Sequence, residues 1–279
     1  TCSGIQILAG LCRDATAAGL VNVLPGEKPA DAYATVAEHT KPHIPLRFQQ
    51  VFDRSTVKRV VMTVPYNAKP WSNRSYIRKA LEDQGITDAT GDEISQTVKA
   101  LRNAMDIILP GPMRAMKWIE EQVKVVMKRG EDKLEWVTPS GFVVTQRFQK
   151  KFFDTVKLQL LGRVEIRVAT EDSDTVDKKH HAAATSPNLI HSLDSSLLCL
   201  STLRFDAPIA LIHDSVLCRA TDMSTLSVIV REIYMKLFSE DSYLETWAKQ
   251  IGAELPLPDE LIIGDLDTDS VINSTYFFC

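Results

Sequence analysis

The sequence predicts an α+β chain, mostly helical, with small antiparallel sheets. Three observations carry that prediction. Apolar residues recur at helical spacing through most of residues 4–128. β-Branched and aromatic residues then crowd residues 134–169. Finally, the apolar run Pro208-Ile209-Ala210-Leu211-Ile212 halts at His213-Asp214-Ser215 and resumes at Val216, as two short strands joined by a tight turn would. With 279 residues, 44% hydrophobic and 24% charged, the chain has enough apolar material for one large or two small cores.

Ile5, Leu8, Leu11 and Cys12 place a helical face over residues 4–20, followed by a turn over 22–29. A helix over 28–39 is closed by Pro42 and Pro45. Asp53 and Ser55 suit the start of a helix over 53–64. Pro65 and Asn67 end it, because the residue before a proline is pushed out of the α region. Helices over 73–84 and 94–109 are separated by Gly85 and Gly91, and one over 113–128 stops at Gly130. Strands are expected over 134–144 and 152–169, with turns at Gly141 and Gly162. The alternation from Lys157 to Arg167 predicts a hairpin with one wet face. An acidic loop over 171–177 precedes a helix over 187–203. Strands 208–212 and 216–220 follow, then helices 224–238 and 242–251 and a loop-rich end.

The net charge of -4 and pI of about 5.9 argue against an all-over basic coat. Basic residues dominate from Arg114 to Arg167 and acids from Glu232 onward, which leaves one face suited to an anionic partner. The five cysteines are odd in number and scattered. They predict reduced thiols without a disulfide framework or zinc site. No stretch approaches the roughly 20 apolar residues of a membrane span, and no signal-peptide pattern is present. The chain opens at Thr1 without an initiator Met, which suggests a cut through a longer protein.

Several constellations could carry chemistry. Arg54 and Lys58 are four apart and rise from one helix face, with Met62 continuing the stripe and Tyr66 at its end. Stacked cations suit a polyphosphate, although spacing alone favours an ordinary solvated helix. His191 and Asp194 are three apart, where a capped helix with a hydrogen-bonded histidine is the simpler reading. His39, His43, His180 and His181 read as surface residues. Asp214 at the tip of a strand-turn-strand would be costly if buried without a cation. It would supply half of what a two-metal site needs, in which two Mg²⁺ lie about 4 Å apart.

Taken in order, the stretches Cys2-Ser3-Gly4-Ile5-Gln6, Leu11-Cys12-Arg13-Asp14, Asp53 to Tyr66, Pro187-Asn188 to His191 and Asp194, and His213-Asp214-Ser215 resemble the single-subunit DNA-dependent RNA polymerases of bacteriophages and mitochondria. The resemblance runs to the terminal Tyr276-Phe277-Phe278-Cys279, which is similar to that family's aromatic C-terminal foot. It implies a right-hand polymerase fold, fingers plus part of the palm, with a small antiparallel palm sheet and a β-hairpin specificity loop. Palm would span 1–27, fingers 28–191 with the specificity hairpin at about 153–176, and palm again 192–279.

By the same resemblance Arg54, Lys58 and Arg59 bind the triphosphate of the incoming nucleotide. Met62, Tyr66, Tyr33 and His191 complete the substrate site, Tyr66 helping to select ribonucleotides, and Arg13 is a further active-site match. Asp214 is a catalytic carboxylate and metal ligand, with His213 beside it and Lys58 and Tyr66 in catalytic roles. Thr155, Lys157, Glu165, Arg167 and His191 face DNA, where Arg or Lys against guanine and Glu against cytosine are sound pairings. The implied cofactor is Mg²⁺. The implied partners are double-stranded promoter DNA, the template strand, nascent RNA and nucleoside triphosphates, with no membrane and a monomeric complete polymerase. The implied compartment is the cytoplasm of a phage-infected bacterium ahead of a mitochondrion.

Two departures stand out. Asn67 occupies a position that is usually Gly, and a left-handed turn is still expected there because asparagine tolerates it. The family's first catalytic aspartate would fall two residues before Thr1, so the 279 residues alone are expected to be inactive. Two other classes remain open at this point: a non-catalytic nucleic-acid-binding subunit of a split polymerase, and a related right-hand DNA polymerase fragment. The latter usually has an acid where Ser215 stands.

Overall fold

The computed structural model describes residues 2–158, 164–239, 242–261, 264 and 266–278; the turn expected at Gly162 and the terminal Cys279 lie outside them. The architecture is mostly helical, with three separate two-stranded antiparallel sheets.

At the centre lies α1 (Ser3–Cys12), in which every residue from Gly4 to Cys12 is buried. The single helical segment expected over 4–20 is broken, because Arg13 turns left-handed (φ 50°). Asp14 then caps α2 (Ala15–Leu20) by accepting from the Ala17 N–H. The same buried carboxylate accepts from the Gly111 N–H at 3.0 Å, so two backbone donors compensate its burial. Arg13 donates to the Ser239 carbonyl at 2.9 Å.

Next come α3 (Ala32–Thr40), α4 (Leu46–Gln49), α5 (Arg54–Thr63), α6 (Pro70–Asp83), α7 (Gly91–Ile108) and α8 (Pro110–Lys128). α3 begins four residues later than expected, because Asp31 caps it through the Tyr33 and Ala34 N–H groups. Asp53 and Thr56 form a capping box at the start of α5, and Thr90 with Glu93 does so at α7.

The strands β1 (Leu134–Val137) and β2 (Val143–Gln146) pair around Gly141. β3 (Gln149–Leu158) and β4 (Val164–Val176) pair antiparallel, Thr155 opposite Arg167 and Lys157 opposite Glu165. The expected acidic loop is therefore strand, and Lys151 faces Asp172 at 3.8 Å across it, a cross-strand pairing of opposite charges. The expected single wet face is also corrected. Both faces of this ribbon are exposed, the second carrying Val156, Ile166 and Val168.

α9 (Lys178–Arg204) begins nine residues before the predicted start and carries Pro187 in its interior. His181, expected at the surface, is fully buried. Its Nε2 accepts from the Phe148 N–H at 3.0 Å, and its Nδ1 lies 3.2 Å from the Gln146 amide. Burial keeps its pKa below the usual histidine range.

β5 (Ile209–Ile212) and β6 (Ser215–Cys218) form a hairpin with His213-Asp214 as its two-residue turn, His213 left-handed at φ 55°. The apolar run is not a buried strand: Leu211, Ile212 and Leu217 are exposed. α10 (Met223–Phe238) and α11 (Tyr243–Ile251) complete the helices. α10 crosses α1 at Gly10, where a Cβ would come within 2.8 Å of Phe238 and Tyr234 atoms. The Tyr234 hydroxyl donates to the Gln6 carbonyl at 2.6 Å, which ties these two helices together. Among the described residues no helix is long and apolar enough to cross a membrane.

Candidate functional site: a trough from Arg54 to Asp214

The N-terminal end of α1 lies between the end of α5 and the β5–β6 turn. Ser3 Oγ donates to Asp214 at 3.3 Å and shares a hydrogen bond with the Tyr66 hydroxyl. The Tyr66 ring stacks on His191 of α9, with centroids 4.8 Å apart and planes at 20°. Ser3, Tyr66, His191 and Asp214 thus come from four separate parts of the chain and meet in one place. Gly4 makes this possible, since a Cβ there would lie 3.0 Å from the Tyr66 hydroxyl oxygen and 3.2 Å from Pro65 Cβ.

Three clefts run together through this region. One of about 220 Å³ is bordered by Asp31, Tyr33, Arg54 and Cys2. A smaller one, about 90 Å³, continues from Cys2 past Met62 and Tyr66 to Asp214. The third, about 280 Å³, runs from Ser3 and Asp214 past Asp194 to Phe277 and Phe278. Cys2 borders the first two, and Ser3 and Asp214 border the last two. The result is a continuous trough with Arg54, paired to Asp31, toward one end and the carboxylates of Asp194 and Asp214 toward the other.

At the cationic end Arg54 Nε donates to Asp31 at 2.5 Å, and the guanidinium lies 5.1 Å from the Tyr33 ring centroid. Asp31's carboxyl is held below the usual range. Burial works against that, but the Ala34 N–H and Arg54 outweigh it. Lys58, one turn on, is exposed and makes no ion pair among the described residues. Arg59 is directed elsewhere, its guanidinium 4.4 Å from the Tyr76 ring centroid on α6.

At the acidic end Asp214 is exposed. Asp194 is not: burial, reinforced by the Asp214 charge, pushes its pKa up to about 6. His191 is shifted below the usual range, chiefly by burial, with Asp214 opposing and His213 adding to the shift. Burial raises the Tyr66 phenol, against the Ser3 hydrogen bond.

Ser3 and Asp194 were not assigned roles from the sequence. Both lie in the Cys2–Gln6 and Pro187–Asp194 stretches; what singles them out is the Ser3 hydrogen bond to Asp214 and the cleft that Asp194 shares with Asp214, which only the folded chain supplies. Thr155, Lys157, Glu165 and Arg167 lie apart on the β3–β4 ribbon. Lys157 faces Glu165 at 3.6 Å, and Arg167 stacks over Phe153 at 4.8 Å.

Asp194 yields a stability prediction with a definite sign. Its folded-state pKa, about 6, lies above the ordinary 3.8. Over that window the folded chain binds more protons than the unfolded one, so stability falls as pH rises through it. Asp194→Asn should match the wild-type thermal midpoint near pH 4 and exceed it at pH 7. Midpoints of the two proteins that run parallel across this range would refute the prediction.

A guanidinium at one end and carboxylates at the other would suit a polyphosphate accompanied by a metal ion. The comparisons are specific. The family model for DNA-dependent RNA polymerase matches residues 1–257, and the chain belongs to that family. It is 31% identical to the mitochondrial DNA-directed RNA polymerase 1 of Arabidopsis thaliana, over all of this chain and 30% of that protein. It is 30% identical to the chloroplastic DNA-directed RNA polymerase 3 of Nicotiana sylvestris, with the same coverage. It is 29% identical to DNA-directed RNA polymerase 2A of Nicotiana tabacum, of which it covers 90%. The chain thus spans about 30% of the length of the first two relatives. These names overturn the expected compartment: the relatives are mitochondrial and chloroplastic proteins, which speaks against the cytoplasm of a phage-infected bacterium.

Proposed function

We propose that this chain is the catalytic portion of a longer organellar-type RNA polymerase, fingers plus part of the palm of a right-hand fold. Its boundaries would be palm 1–27, fingers 28–191 and palm 192–279. The observation that supports the reading is the meeting of Tyr66, His191, Ser3 and Asp214 beside a trough whose other end is bordered by Arg54, with Lys58 exposed one turn further along α5.

The reaction is nucleotidyl transfer. The 3′-hydroxyl of the growing RNA attacks the α-phosphorus of a nucleoside triphosphate. A new P–O bond forms, the α–β anhydride bond breaks, and pyrophosphate leaves while the hydroxyl proton goes to solvent. Lys58 and Arg54 neutralise the charge that accumulates on the departing pyrophosphate. Tyr66, backed by His191, meets the sugar, and Met62 and Tyr33 flank it. His213 sits beside Asp214 at the primer end.

No group of three or more candidate ligands is gathered among the described residues. Mg²⁺, however, takes one or two carboxylates and completes its shell with substrate phosphates and water. An exposed carboxylate at a hairpin tip fits one of those places, so Asp214 would hold the ion. Bound there, Mg²⁺ supplies charge neutralisation and a more acidic hydroxyl, in a two-metal arrangement with a second carboxylate.

The β3–β4 ribbon would be the specificity hairpin, reading promoter DNA with Thr155, Lys157, Glu165 and Arg167 once its internal pairs open. Phe277 and Phe278 would form the foot beneath the site. Template DNA, nascent RNA and nucleoside triphosphates are the partners, and the complete enzyme acts as a monomer. The test is template-directed incorporation of labelled ribonucleotides on DNA by the polymerase carrying this chain. Mg²⁺-dependent extension that favours ribo- over deoxyribonucleotides is expected. Binding without extension would favour a non-catalytic subunit, and equal or preferred use of deoxyribonucleotides would overturn the RNA polymerase reading.

A further inference from the structure

Pro187 stands inside α9 and has no N–H to give to the carbonyl of Ala183, four residues earlier, that a helix would ordinarily bond. A side chain from elsewhere meets that carbonyl: Asn67 Nδ2 donates to the Ala183 oxygen at 2.6 Å across 116 positions of sequence. The other end of the same amide is also engaged, Asn67 Oδ1 accepting from Lys69 Nζ at 2.7 Å. A carbonyl can only accept and an ammonium can only donate, so the two partners fix which way the amide points. Lys69 reaches on to Glu120 of α8 at 3.3 Å.

The backbone of Asn67 has its own task. It is left-handed, φ 63°, and closes α5 in a Schellman-type turn. Its N–H bonds Val64 O at 2.8 Å, and the Ala68 N–H bonds Thr63 O at 3.1 Å. Glycine would satisfy that turn but could not reach Ala183. The residue immediately before it is Tyr66, and His191, on which Tyr66 stacks, lies one helical turn beyond Pro187. Ala183, Pro187 and His191 follow at intervals of four along one side of α9. The clamp and the ring stack are therefore neighbouring rungs between the same two elements.

We propose that Asn67 is a positioning residue that pins the Tyr66 turn to α9 at its proline and so holds the Tyr66 ring against His191. The inference rests on the reading of Tyr66 as the sugar-facing group. It assigns sugar discrimination in this chain partly to an amide that touches neither nucleotide nor metal. The unsatisfied carbonyl left by Pro187 and the side chain of Asn67 act as a matched pair.

The test is a double-mutant cycle with two readouts. Asn67→Gly keeps the turn and removes the amide, Asn67→Asp replaces the donor by a charged acceptor that the Ala183 carbonyl repels, and Pro187→Ala supplies a helical N–H for Ala183. In the polymerase carrying this chain the readout is the ratio of kcat/KM for ribo- and deoxyribonucleotides. In the protein labelled at histidine it is the upfield ring-current shift that Tyr66 imposes on His191. Asn67→Gly and Asn67→Asp should each reduce the ratio by about fivefold, the size expected for one lost hydrogen bond, and should diminish the His191 shift. In the Pro187→Ala background Asn67→Gly should change neither, because the carbonyl already has a donor. Wild-type values of ratio and shift in Asn67→Gly, or effects of Asn67→Gly and Pro187→Ala that simply add, would overturn the proposal. Tyr66→Phe separates the two readings. If it leaves the ratio unchanged, the sugar-facing role of Tyr66 fails, and the His191 shift still decides the clamp.

Discussion

Asp214→Asn is expected to reduce the rate of nucleotide addition by about 10³-fold or more, roughly 4 kcal/mol of transition-state stabilisation, with little change in KM for nucleotides. The substitution is nearly isosteric, and the amide oxygen can still accept from Ser3. Asp214 is exposed at a hairpin tip, so the fold loses nothing when its charge is removed. A neutral amide is a much poorer Mg²⁺ ligand than a carboxylate. The loss should therefore fall on kcat, and steady-state kinetics of single-nucleotide extension checks it. Near-wild-type kcat in the variant would remove Asp214 from the chemistry. Asp194 should also respond: with the Asp214 charge gone, one of the two causes of its raised pKa disappears.

Lys58→Ala is expected to lower kcat/KM for nucleotides by about 10²-fold, with unchanged thermal stability. An unpaired surface ammonium contributes little to folding, and Lys58 has no ion-pair partner among the described residues. A cation aimed at a departing polyphosphate contributes far more to the transition state than to the resting protein. Lys58→Arg should recover part of the loss, since the charge returns with different geometry. Arg54 is the less clean probe. Its guanidinium is bonded to Asp31, which caps α3, and stacks over Tyr33, so its removal disturbs packing and charge together. A Lys58→Ala enzyme with normal kcat/KM would place the triphosphate elsewhere than on this face of α5.

What could be read from the sequence was local. Asp53 before a run of helical spacing marked the start of α5 to within a residue, because a helix cap needs only its own first turn. His213-Asp214 between two apolar stretches marked a turn, which the structure makes a two-residue hairpin loop. The failures share one cause, a partner distant in sequence. Pro187 suggested a helix start, yet it lies well inside α9, where Asn67 satisfies the carbonyl it leaves open. His181 suggested a surface residue, but Gln146 and the Phe148 N–H give both ring nitrogens a partner. The acidic stretch after Ala169 suggested a loop, and strand residues such as Lys151 opposite it provide the compensating charge. Asp194 was indistinguishable from a helix-surface acid until the fold set it against Asp214.

On the proposed reading the α5 cations, Tyr66, His191 and Asp214 serve a single nucleotide site. With six histidines in the chain, labelled imidazole resonances can be followed one by one as a magnesium nucleoside triphosphate is titrated into the protein. A saturable shift of the His191 signal, weakened in Lys58→Ala, is expected, while exposed His39 and His43 stay in place. A His191 signal that does not move on saturation with nucleotide, or that moves with undiminished affinity in Lys58→Ala, would contradict it.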